Sequence, residues 1–180
     1  MPFVIAALLL VGALCALDLV LTLGVIKRLR DQGALLAELG SGTPALAVGE
    51  EVGAFTATTV DGVPIGRDDL NDDTLVAFFS PTCGPCRKKL PAFVAHARTL
   101  PGGRDAVLAT VVGTPEAAAA FTEALAPVAR VVVEEADGPV GAAFNATAYP
   151  TVLRVAPAAD GRVLVTADQV DLGRVPQAAA

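Results

Sequence analysis

Cys83-Gly84-Pro85-Cys86 stands directly after the apolar run Leu75–Phe79 and directly before a stretch whose apolar residues, Leu90, Phe93, Val94 and Ala97, recur at helical spacing. A strand that passes into a helix at a pair of cysteines leaves few folds open. Pro85 suits the first turn of that helix, and Pro101-Gly102-Gly103 ends it. At the helix start, unpaired backbone N–H groups and the positive end of the dipole favour thiolate over thiol, which suits Cys83 to act as a nucleophile. Cys86 lies one turn deeper, where it can attack a mixed disulfide on Cys83 while burial keeps it protonated beforehand. Gly84-Pro85 between them restricts the geometry of the pair and so tunes its redox poise.

The chain around this motif alternates strands and helices. Phe55–Val60 and Val63–Ile65 read as a hairpin turning at Asp61-Gly62; strands follow at Leu75–Phe79, Ala106–Val112 and Ala129–Val133. Helices are expected at Pro115–Leu125 and Pro139–Phe144, and Thr151–Val155 with Arg162–Thr166 closes the pattern as an antiparallel pair. This order implies an α/β fold in which a central mixed sheet is covered by helices on both faces.

The amino terminus is of another kind. Residues 3–26 form an apolar run that, as a helix, spans about 36 Å, more than a hydrocarbon core of about 30 Å. Its start is uncharged and it ends in Lys27-Arg28-Leu29-Arg30, so it reads as an uncleaved transmembrane anchor in contact with membrane lipid, not as a signal peptide. Cys15 is then a small apolar residue in lipid, and Asp18 a protonated or paired carboxyl within a helix dimer. The chain divides into an anchor with its basic flank at 1–30, a flexible tether at 31–49, a folded domain at 50–170 and a disordered tail at 171–180.

Composition excludes several classes. A mean hydropathy of +0.59 with 53% apolar residues is too high for disorder. Residues 31–180 carry ten basic and eighteen acidic side chains, a poor surface for nucleic acid. Three cysteines and one histidine do not make a disulfide scaffold or a multi-cysteine zinc site, and neither metal nor bound cofactor is expected. His96 reads as a packed or solvent-facing helix residue, and Arg87-Lys88-Lys89 as a solvated face whose charge also favours a thiolate at Cys83.

Three features spread over the domain resemble the thioredoxin superfamily: Cys83-Gly84-Pro85-Cys86, Pro91 five residues after Cys86, and Tyr149-Pro150-Thr151 before a strand. The anchor, Phe55–Gly62 and Phe78-Phe79-Ser80-Pro81-Thr82-Cys83 look like the membrane-tethered disulfide reductases of the TlpA, ResA and MauD type. The resemblance covers roughly residues 47–166. It implies a thioredoxin-like fold, a catalytic redox disulfide between Cys83 and Cys86, a cis bond before Pro150, and substrate contact through Tyr149 and Thr82. Departures are Thr82 in place of thioredoxin's tryptophan, Ala77 in place of its buried aspartate, and Lys89 where ResA-like members place a glutamate. Water, Glu134 or Glu135 is left to deprotonate Cys86.

The expected activity is reduction of protein disulfides, with client proteins as substrates and a membrane thiol carrier as upstream donor. The alternative is an assembly factor or metallochaperone for a cofactor-containing enzyme, as MauD-like proteins suggest. A peroxide reductase lacks its usual proline and threonine spacing before Cys83. Relatives of this type place the domain outside the cytoplasmic membrane; Lys27, Arg28 and Arg30 after the span argue for the cytoplasm by the positive-inside rule. The family resemblance favours the outside.

Overall fold

The computed structural model describes Gly12, residues 45–71 and residues 73–173. The expected anchor, with Cys15 and Asp18, and most of the expected tether lie outside the described residues. Among the described residues no helix is long and apolar enough to cross a membrane.

Five strands form the main sheet: β3 (Thr74–Phe79), β4 (Val107–Val112), β5 (Arg130–Glu134), β6 (Thr151–Pro157) and β7 (Val163–Ala167), in the order β5-β4-β3-β6-β7. Strands β3, β4 and β5 are parallel, joined through α1 (Gly84–Ala97) and α2 (Pro115–Leu125), while β6 and β7 run antiparallel beside β3. The sheet is mixed, as expected from the alternation. Every residue of β3 and β4 is buried, because a central strand covered on both faces must be apolar on both. Leu75, Ala77 and Phe79 face a core with Phe93 of α1 and Phe121 of α2. Val76 and Phe78 face a second core with Phe55, Ile65, Val140 and Phe144.

The two faces are covered differently. Both long helices lie on the first; the second carries the short helix α3 (Pro139–Ala143) and a hairpin of β1 (Thr56–Thr58) and β2 (Pro64–Gly66). The hairpin turn is longer than the expected Asp-Gly pair. Thr59 N–H donates to the Val63 carbonyl at 2.9 Å, and Gly62 N–H to the Thr59 carbonyl at 2.9 Å. The loop is therefore Val60-Asp61-Gly62, with Gly62 at φ +79° taking the left-handed position that a three-residue hairpin requires.

The boundary of the tether is also corrected. Ala45 is buried, Leu46 N–H donates to the Phe144 carbonyl at 3.0 Å, and Gly49 N–H to the Val165 carbonyl at 2.8 Å. Residues 45–49 are thus docked on the second core, whose apolar surface near Phe144 and Val165 gives Ala45 and Leu46 a place to pack. At the other end, Val170 and Leu172 pack on the first core, so order extends past residue 170.

Candidate active site

The dithiol is built where β3 ends and α1 begins. Cys83 is the N-cap of α1, and its Sγ accepts the N–H of Cys86 at 3.3 Å, taking up one of the donors that every helix start leaves unpaired. Pro85 occupies the first turn, and Pro91 lies inside the helix on its exposed side. Cys83 is partly exposed and Cys86 is fully buried; both are free thiols. The two thiols thus differ in burial, Cys86 being the deeper.

Burial is what keeps the Cys86 proton in place. Its Sγ lies in the apolar cluster of Ala77, Phe79 and Phe93, and desolvation, followed by its hydrogen bond with Cys83, pushes its pKa from 9.0 up to about 12. The Ser80 N–H, 3.5 Å from Cys86 Sγ, works in the other direction by stabilising a thiolate. Ala77 sits in this cluster as well, so the second cysteine has an apolar floor. Lys89 is exposed on the outer side of α1.

A segment far along the chain completes the site. The Tyr149-Pro150 bond is cis, and the Tyr149 carbonyl accepts a hydrogen bond from Cys83 Sγ at 3.2 Å. Cys83 and Tyr149 are 66 residues apart in sequence. Tyr149 and Pro150 are half-buried beside the dithiol, while Thr82 is exposed with its hydroxyl 3.1 Å from that of Ser80. The structure therefore brings together Cys83, Cys86 and the segment at Pro150, and leaves Thr82 on the rim.

Of the two expected proton acceptors, Glu135 is exposed and Glu134 is buried with both oxygens occupied. Glu134 accepts the N–H of Gly141 at 2.7 Å and of Val140 at 3.0 Å, fastening α3 to the end of β5. Burial raises its carboxyl pKa, and these two N–H groups oppose the rise. A side chain at Gly138 would put its Cβ 2.5 Å from the Glu134 carboxyl, so the carboxylate needs that glycine beside it. Glu134 is a structural tie next to Tyr149, and no carboxylate among the described residues hydrogen-bonds to Cys86.

Sequence reasoning missed two groups. The Ser80 N–H contact depends on how the turn after β3 folds back over Cys86. His96 is buried, with Nε2 3.3 Å from an Arg154 nitrogen, and Arg154 in turn pairs with Asp73 at 2.5 Å. No local signal connects α1 with β6. Among the described residues, no group of three or more His, Cys, Asp and Glu side chains is arranged to hold a metal ion.

The AhpC/TSA family matches residues 48–159 of this chain. No curated protein matches it. Among solved structures, the thioredoxin domain of a thiol-disulfide oxidoreductase from Bacteroides vulgatus is similar with 19% identity and a TM-score of 0.53, over 67% of this chain and 87% of that one. The MTB dsbF structure, in mixed oxidised and reduced forms, has 22% identity and a TM-score of 0.54, over 66% and 87%. A secreted Mycobacterium tuberculosis disulfide oxidoreductase homologous to E. coli DsbE has 21% identity and a TM-score of 0.52, over 66% and 89%. At these identities the likeness is one of fold. On the match over residues 48–159, the chain belongs to the AhpC/TSA family, with a thioredoxin-like fold.

Proposed function

We propose that this protein is a membrane-anchored thiol-disulfide oxidoreductase that reduces, or relays electrons to, disulfides of client proteins. The observation that carries the reading is the asymmetry of the dithiol: a partly exposed Cys83 capping a helix beside the Tyr149 carbonyl, and a fully buried Cys86 within hydrogen-bond reach of it.

The reaction needs no bound group. The Cys83 thiolate attacks one sulfur of a client disulfide; a mixed disulfide forms, and the other client sulfur leaves as a thiolate. Part of what holds the Cys86 proton is its interaction with Cys83, and forming the mixed disulfide removes the charge and the acceptor thiolate there. Cys86 then loses its proton to water and attacks Cys83 Sγ, releasing the second client sulfur. The client has gained two electrons and the protein holds a Cys83–Cys86 disulfide. A donor dithiol, which we assign to the membrane, reduces it again by the same exchange. The Tyr149 carbonyl, now facing Cys83, and the exposed backbone around Thr82 form the lip on which a client peptide would lie.

The division of labour has a direct test. Cys86→Ser should attack but not finish, and accumulate client mixed disulfides seen as high-mass bands that reductant dissolves. Cys83→Ser should give none, and peroxide should not be consumed by the parent protein. Trapping by Cys83→Ser in place of Cys86→Ser would reverse the roles.

The apolar run at residues 3–26 supports a single-pass anchor, and the resemblance to tethered reductases supports an extracytoplasmic domain. A carboxy-terminal reporter active on only one side of the membrane tests this; a signal from the cytoplasmic form would overturn the second statement.

A further inference from the structure

Residues 45–173 carry nine basic and sixteen acidic side chains. Five of the nine cations are engaged: Arg67 with Glu51, Arg104 with Asp61, Arg154 with Asp73, Arg162 with Asp160, and Arg130 with the Asp69 carbonyl. The other four, Arg87, Lys88, Lys89 and Arg98, make no side-chain hydrogen bond or ion pair among the described residues, and all lie on α1 or at its C-cap. No acidic residue lies on that helix. An acidic domain has therefore kept its unpaired positive charge on the element that carries the dithiol.

The placement is close. Arg87 N–H donates to the Cys83 carbonyl, and the helical rise puts the backbones of Arg87, Lys88 and Lys89 about 6–9 Å along the axis from Cys83, comparable to the Debye length of about 8 Å at physiological salt. All three side chains are exposed. Across the dithiol the sign reverses: Glu135 and Asp137, both exposed, line a small cavity with Glu134 and Tyr149. The helix that carries the dithiol is thus basic, and the loop residues that line the cavity beside Tyr149 are acidic.

We propose that Arg87, Lys88 and Lys89 form a docking surface for an acidic segment of the client protein next to the disulfide to be reduced. This rests on the reading of Cys83 as the attacking thiol. The domain is net negative and its unpaired cations lie along α1, so the charges that attract an acidic segment also deliver it to the helix that begins at Cys83. A general rate effect of the cations on the Cys83 thiolate would act on every client alike; docking acts on the ratio between clients.

The test uses the full chain, reduced, in a neutral detergent. Three synthetic peptides carry the same internal disulfide, flanked by three Asp, three Ser or three Lys, and single-turnover rate constants are measured from low to high salt. The acidic peptide should react about tenfold faster than the neutral one at low ionic strength, and the advantage should fade with salt. In the Arg87→Gln, Lys88→Gln, Lys89→Gln triple variant, whose substitutions keep good helix formers at exposed positions, the acidic-to-neutral ratio should fall to near one. Equal rates for the three peptides with the parent, or a ratio that survives in the triple variant, would overturn the docking surface while leaving the dithiol reading intact. Reduction of none of them would bring down both. If the parent shows no peptide preference but binds phosphatidylglycerol vesicles more tightly than the triple variant does, the face serves lipid and the proposal fails.

Discussion

Raising the pH should weaken the folded state through one buried group, the Cys86 thiol. Its pKa stands at about 12 in the folded protein against 9.0 for a free thiol, a difference of about 3 units or roughly 4 kcal/mol at about 1.4 kcal/mol per unit. The sign follows from proton counting. Between pH 9 and 12 the unfolded chain has released this proton and the folded chain still holds it, so the unfolded state binds fewer protons and stability falls as pH rises. Below pH 9 both states are protonated and the contribution is complete. From pH 9.5 to 11 the loss should be about 2 kcal/mol, or about 1 M in urea midpoint for a domain of this size. The comparison is with Cys86→Ala in a Cys83→Ser background, against Cys83→Ser alone, so that the coupled thiol at Cys83 is absent from both proteins. Urea unfolding of the reduced proteins at pH 8, 9.5 and 11 should give curves that converge as pH rises, with the double variant gaining on Cys83→Ser by that amount. Parallel curves would show that the apolar floor of Ala77, Phe79 and Phe93 does not hold the proton, and the account of Cys86 as a masked resolver would go with it.

Glu134→Ala should cost about 3 kcal/mol in chemical denaturation, because the Val140 and Gly141 N–H groups lose their acceptors in a buried place; Glu134→Gln, keeping one amide oxygen, should cost about half of that. Equal losses in the two variants would remove the acceptor role. Phe79→Ala should cost about 3–5 kcal/mol, since the ring is fully buried beneath the dithiol with the Phe93 centroid at 5.2 Å and that of Phe121 at 5.9 Å. A loss under about 1 kcal/mol in a thermal or urea melt would mean that the core there refills.

What the sequence determined by itself is whatever local chemistry encodes. The helix at Pro115–Leu125 is found at its expected bounds because Thr114 supplies a cap and Pro115 a preset first turn, both acting within a few residues. The strand before the dithiol could be read because a strand buried on both faces has an unbroken apolar run, and the cysteines because a helix start has donors to offer a sulfur. The segment at Pro150 came from resemblance, since nothing near residue 150 says that residue 83 will lie against it. Only the tertiary structure decided that contact, along with the seat of Ala45 and Leu46 on the second core, the tie from Glu134 to α3, and the pairing of His96 with Arg154. These join residues from different elements, and each becomes favourable only once the sheet order β5-β4-β3-β6-β7 has removed water from both faces. The unequal burial of the two thiols belongs to both levels. Helical spacing puts Cys86 one turn deeper than Cys83, but it is the packing of Phe79 and Phe93 around it that makes its proton so hard to remove.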